Sequence, residues 1–162
     1  MKKAFTLIEL LIVIAILAIL AIGILAAIDP IEQFRRGSDS TAINTASEYK
    51  NAVDRYYTGK GVFPVSLQSA GGSYITGGVG FQAITEMMTA GELKTNFTAG
   101  SPQALSNIYV NVAAAGANPV VCTNLYSKTF RNNSAALYNV SGGTPAGTCP
   151  SPTNADCHIC YF

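Results

Sequence analysis

Glu9 is the only ionisable side chain between Phe5 and Ile28, in a run that is otherwise apolar apart from Thr6. An acid in a segment suited to lipid is costly and rare, and marks a functional site whose charge needs a partner nearby or on another molecule. The plain alternative is that Glu9, near one end of the run, snorkels to the membrane surface. A second group is Cys157-His158-Ile159-Cys160, with Cys122 and Cys149 upstream. Cys-x-x-Cys is a zinc half-site, and Cys149 and His158 are candidate further ligands. Ligands one residue apart along the chain seldom converge, however, and exported thiols oxidise, which favours disulfides. Four cysteines allow three complete pairings, and spacing alone does not choose among them. A thioredoxin-type site needs its Cys-x-x-Cys at a helix start in an α/β fold; only Tyr161-Phe162 follow it here.

Other chemistry is thin. His158 is the single histidine, and no serine, cysteine or acid grouping makes a triad with it. There is no phosphate-binding glycine motif, no His-Glu-x-x-His and no carboxylate pair tied to a pocket. An enzyme is not expected, nor a resident cofactor or metal. Charged residues are 12% of the chain and the formal net charge is +1, with basic pairs only at Lys2-Lys3 and Arg35-Arg36. A nucleic-acid interface is therefore not evident.

The elements that position Glu9 begin with the apolar run itself. Leu10 to Ile28 is nineteen residues, and with Phe5 to Ile8 it makes a helix of about 36 Å, against a bilayer core of about 30 Å. Lys2 and Lys3 precede it, so the N-terminus stays cytoplasmic and the remainder is exported. A conventional signal-peptidase site at Ala21-Ile22-Gly23 would leave Ile24 to Ile28 as an unexplained apolar stub.

Past Pro30, Ala42, Ala46, Tyr49, Val53 and Tyr56 recur at helical spacing, with Asn44, Glu48, Lys50, Asn51 and Asp54 off that stripe. This amphipathic pattern favours one long helix, kinked at Pro30, over a true break. Lys50 and Asp54 form an i,i+4 pair, and Gly59 is the expected left-handed cap near residue 58. From Phe5 to Tyr57 such a helix would run about 80 Å. Gly71-Gly72 and Gly77-Gly78 punctuate a loop. Phe81 to Leu93 reads as a short helix with Phe81, Ile84 and Met88 on one side. Ile108 to Val112, Pro119 to Cys122, Leu125 to Phe130 and Ala135 to Val140 carry strand-like patches. They make a small antiparallel sheet laid on the amphipathic helix, in an α+β fold, with a cysteine-bearing tail of coil.

Phe5-Thr6-Leu7-Ile8-Glu9-Leu10, its basic leader and the apolar helix behind it resemble the N-terminal segment of type IV pilins and type II secretion pseudopilins. The likeness is strong to about residue 30, looser to Tyr57 and architectural beyond. It implies a leader at 1–4, a membrane and filament-core helix at 5–28, and an exported head at 29–162 that includes the amphipathic half of the helix. It implies cleavage between Ala4 and Phe5 by a membrane prepilin peptidase, then methylation of the new amine. Ala4 stands where Gly is usual, one methyl larger at a site that admits little side chain. Loss of Lys2 and Lys3 leaves eight basic against nine acidic side chains, and the Phe5 ammonium is the missing cation. The family model pairs Glu9 of an incoming subunit with the Phe5 amine of a neighbour, and gives Gly23 and Pro30 the role of points where the helix loosens. It also implies a disulfide from Cys122 to one of Cys149, Cys157 and Cys160, with closure of Cys157 on Cys160 the competing arrangement.

The function implied is that of a pilus subunit: a helical homo-oligomer drawn from the inner membrane by an assembly platform and a cytoplasmic ATPase, with minor pilins as further partners. A secretion pseudopilin is the first alternative. Its calcium-binding form is disfavoured because Asp156 is the only acid in the tail. A monomeric signal-anchored binding module is the second.

Overall fold

The computed structural model of the chain describes residues 5–27, 29–100, 102–132, 138 and 158–162. Helices α1 (Leu7–Ala27) and α2 (Pro30–Lys60) come first, then a 3-10 turn (Val65–Leu67) and strand β1 (Gly71–Tyr74). Helices α3 (Gly78–Thr89), α4 (Phe97–Gly100) and α5 (Pro102–Leu105) precede strands β2 (Ile108–Val112) and β3 (Val120–Asn124). Helix α6 (Lys128–Arg131) and strand β4 (His158–Tyr161) complete the order. Contacts divide the chain into two units, Met1–Phe34 and Arg35–Phe162.

The expected single kinked helix is replaced by two, α1 and α2. Asp29 Oδ1 accepts the Glu32 backbone N–H at 3.2 Å, and the Asp29 carbonyl accepts the Gln33 N–H at 3.3 Å. Asp29 is thus an N-cap, Pro30 the first helical residue and Glu32 the third, an arrangement in which the missing proline N–H costs nothing and the fixed φ suits the turn. Pro30 therefore starts a helix instead of bending one. Gly23 lies within α1, which runs on to Ala27.

In the second unit, Ala42, Ala46, Tyr49 and Val53 of the stripe the periodicity marks are buried, as is Ala52, while Tyr56 is only part-buried. Ala46, Tyr49, Ala52 and Val53 pack with Leu67, Ile75, Ala83, Ile84, Met87, Ile108, Val110, Val112 and Val121 in one core, where each large aliphatic side chain contributes about 1.5–3 kcal/mol. Lys50, expected on the wet face, is instead buried. Helix α2 also outruns its expected cap. Gly59 is helical, and the left-handed residue is Gly61 at φ 72°, whose N–H reaches the Tyr57 carbonyl at 2.7 Å.

Helix α3 begins three residues before Phe81 and buries Gly80, Ala83, Ile84 and Met87, leaving Phe81 exposed and Met88 only part-buried. Close approach decides the face. A Cβ on Gly80 would sit 2.9 Å from Ile75 Cα, so the smallest residue is turned toward β1, and the Tyr49 hydroxyl donates to the Gly80 carbonyl at 3.3 Å.

The sheet is antiparallel with order β1-β2-β3-β4. Ile108, Val110 and Val112 face the core and Tyr109 and Asn111 alternate outward. Two of its strands depart from the sequence pattern. Strand β1 occupies the glycine-marked segment read as loop, and β4 occupies the tail read as coil. Both edges hold through ladder bonds to a neighbour, and each is four residues long, too short for a clear period. Leu125 to Phe130 is no strand: Ser127 caps α6, accepting the Phe130 N–H at 3.4 Å. Of the Ala135 to Val140 patch only Tyr138 is among the described residues, bridged to His158 through bonds of 2.7 and 3.0 Å.

Candidate functional site

The first turn of α1 gives Glu9 a partner within its own chain. The Thr6 backbone N–H donates to Glu9 Oε2 at 2.8 Å, the Thr6 hydroxyl donates to the same oxygen at 2.9 Å, and the Glu9 N–H donates to Thr6 Oγ1 at 3.3 Å. Thr6 is the N-cap and Glu9 the third helical residue, so the pair is a capping box that satisfies two donors a helix start otherwise leaves open. The spacing Thr-x-x-Glu carries that signal in the sequence; a partner nearby or on another molecule is expected there for Glu9, and Thr6 is the nearby one. Glu9 Oε1 accepts no hydrogen bond among the described residues. Phe5 is exposed beside it, while Ala4 lies outside the described residues.

Behind this acid, nineteen residues from Leu7 to Leu25 form a helix long and apolar enough to cross a membrane, with none of its residues buried within the chain. Leu, Ile, Val and Ala surround the axis on every side, the pattern of a helix that meets apolar material all round.

The cysteines resolve in part. Cys122 and Cys160 form a disulfide between directly opposed residues of β3 and β4, which tethers the last strand to the sheet. Closure of Cys157 on Cys160 is thereby excluded, and Cys149 and Cys157 lie outside the described residues. With Cys160 oxidised and His158 buried in β4, the pair cannot serve as a zinc or thioredoxin half-site. Among the described residues no three His, Cys, Asp or Glu side chains cluster as metal ligands.

Sequence reasoning missed the polar ties that hold the head together. Asp39 is buried and accepts the N–H of Tyr126 at 3.0 Å and of Ser127 at 2.7 Å. The expected Lys50–Asp54 pair forms, and the buried Lys50 also reaches Asn118 Oδ1 at 3.3 Å, a tie the helical pattern does not announce. The Tyr161 hydroxyl donates to the Ile43 carbonyl at 3.4 Å, and burial raises its pKa. Burial, and secondarily the Glu86 charge, pushes the Tyr49 phenol far above its ordinary range.

A membrane-length apolar N-terminal helix with one capping acid, followed by an α+β head with a disulfide-tethered strand, is the arrangement of a single-pass membrane precursor. Residues 1–25 match the prokaryotic N-terminal methylation motif. The chain is 34% identical to the fimbrial protein EcpC of Eikenella corrodens over 158 residues, 94% of this chain and 96% of that one. It is 45% identical over 71 residues to the type IV major pilin protein PilE of Neisseria gonorrhoeae, covering 44% of this chain and 41% of the relative. The fimbrial protein of Neisseria meningitidis serogroup B matches with the same identity and coverage. No solved structure matches at comparable significance. The chain belongs to the type IV pilin and pseudopilin family. That family is structural and non-catalytic, so this protein is not an enzyme.

Proposed function

We infer that the chain is the structural subunit of a type IV pilus, held in the inner membrane as a single-pass precursor and assembled into an extracellular helical filament. The observation that carries this reading is α1: a membrane-length apolar helix with no buried residue in its Leu7–Leu25 span in the isolated chain, and Glu9 its only charge. Such a surface needs lipid first and neighbouring copies afterwards. Prepilin peptidase cuts between Ala4 and Phe5, the new amine is methylated and keeps its charge, and Glu9 of an incoming subunit engages that amine on a neighbour. Glu9 Oε1 is the oxygen open to it. A register error would bury the acid unpaired, which makes the pair a device for alignment as much as for affinity. Loosening at Gly23 and the break before Pro30 let the core helix adjust as it leaves the bilayer. Residues 29–162 form the outer skin, and extension comes from the membrane platform and its cytoplasmic ATPase.

The secretion pseudopilin is the second reading; similarity to a fimbrial protein over nearly the full length of both chains supports the pilus over it. Intact mass of the mature protein and electron microscopy of sheared filaments test the proposal together. Loss of Met1 to Ala4 with one methyl added at Phe5, in filaments that contain this chain, is the expected result. A membrane protein that retains Lys2 and Lys3 and never enters filaments would identify a plain signal-anchored module instead.

A further inference from the structure

We propose that the cleft between the C-terminal turns of α2 and the β2–β3 hairpin is a binding site for a neutral pyranose sugar. This goes beyond the filament role. The cleft has a volume of about 390 Å³ and is lined by Asp54, Tyr57, Thr58, Phe63, Gly116 and Asn118, within the range of about 300–1,000 Å³ typical of small-molecule sites.

Its chemistry is specific because of what has already been used. The rings of Tyr57 and Phe63 stack with centroids 4.4 Å apart, and Tyr57 remains about half exposed. An aromatic ring presents a negative face that attracts polarised C–H groups, such as the axial hydrogens of a pyranose. Lys50, itself buried, bonds to Asp54 Oδ1 and Asn118 Oδ1. Among the described residues Asp54 Oδ2 and the Asn118 amide nitrogen make no further bond. The cleft thus offers one open acceptor, one open donor and an apolar ring. Its cation is spent on its own carboxylate, so a phosphate or carboxylate ligand finds no counter-charge. A hydroxylated ring with one C–H face matches all three features.

The neighbouring cleft by Tyr56, Lys60, Thr85, Glu86 and Thr89 lacks this quality. Glu86 is committed to the N–H groups of Val65 and Ser66, and the Thr85 and Thr89 hydroxyls to helix carbonyls.

The test is saturation-transfer NMR on the full chain in dodecylphosphocholine, which carries no sugar headgroup. The probes are methyl α-galactoside, methyl α-glucoside, methyl α-mannoside and N-acetylglucosamine. At least one should bind saturably with a Kd of about 1–10 mM. Tyr57→Ala should weaken that sugar at least about tenfold, as should Asn118→Ala, which removes no core side chain. The Arg55–Glu92 contact, neither residue of which lines the cleft, supplies a control, Glu92→Gln, that should leave binding unchanged. Saturable binding untouched by both cleft variants would overturn the proposal. So would the absence of saturable binding for every sugar, or binding of Nα-acetyl-lysine methylamide in their place.

Discussion

Thr6 and Glu9 exchange hydrogen bonds across the first turn of α1, with Glu9 Oε2 receiving both the Thr6 N–H and its hydroxyl. The acid proposed to pair with a neighbouring subunit's amine therefore already serves its own helix in the isolated chain. The two duties use different oxygens, so they need not compete. Capping by Oε2 restrains the carboxylate and leaves Oε1 outward, which would lower the ordering cost of the proposed intermolecular pair.

This separation of duties is testable at one position. Glu9→Gln retains a capping-box residue and its side-chain oxygen but loses the charge; Glu9→Leu loses both. Both variants should insert in the membrane and be exported. If the amine pair drives assembly, Glu9→Gln should yield few filaments, close to Glu9→Leu, whereas Glu9→Asp should retain part of the yield. Filament counts by electron microscopy against membrane-fraction immunoblots give the comparison. Normal filaments from Glu9→Gln would reduce the residue's role to capping.

The Cys122–Cys160 bond closes a loop with a sequence separation of 38 residues, for which chain-entropy reasoning gives about 4 kcal/mol. Cys122→Ser with Cys160→Ser should lower unfolding stability by about 2–5 kcal/mol. Strand β4 should lose hydrogen-exchange protection before β2 and β3 do. Denaturant titration and exchange mass spectrometry of the full chain in detergent measure both. Equal protection of β4 in the variant would mean that ladder bonds and Tyr161 suffice to hold it.

Asp39 joins α2 to the segment that leads into α6, and its carboxylate is the acceptor for two backbone donors. Asp39→Ala strands both N–H groups in a buried place and should cost about 2–4 kcal/mol. Asp39→Asn keeps one acceptor oxygen and should cost less. The ordering of the two variants by denaturation midpoint is the check; equal midpoints would show that water replaces the carboxylate.

How much of this was legible varies with the range of the determinant. The buried stripe Ala42, Ala46, Tyr49, Val53 and strand β2 follow from periodicity, because one face of each meets the core. At Asp29-Pro30-Ile31-Glu32 two local rules disagree, since proline both interrupts a helix and begins one. The acid before it and the acid two residues after it decide for a start. Thr6-x-x-Glu9 is equally local, but its capping signal is masked by the oddity of a charge in an apolar run. Asp39 and Lys50 were not legible: an acid or lysine on a helix reads as solvated, and their burial depends on Tyr126, Ser127 and Asn118, far along the chain. Strand β4 is four residues joined to the sheet by a disulfide, with no period long enough to announce it.

Tyr49 supplies a pH test of the core. Its phenol is buried under α3, donates to the Gly80 carbonyl, and has a pKa raised well above the ordinary value near 10 by burial first and Glu86 second. The unfolded chain therefore releases this proton at about pH 10 while the folded chain keeps it. Stability is unaffected below that pH and falls as pH rises through it, by about 1.4 kcal/mol per pH unit for one such group. Tyr161, raised in the same direction by burial, adds to the slope. Tyr49→Phe should lower stability at neutral pH by about 1 kcal/mol through the lost hydrogen bond, and should flatten the decline above pH 10. Denaturant midpoints from about pH 8 to 11 for wild type, Tyr49→Phe and the double variant with Tyr161→Phe give the answer. An unchanged slope in Tyr49→Phe would mean that the phenol ionises as readily in the folded head as in the unfolded chain, which its burial forbids.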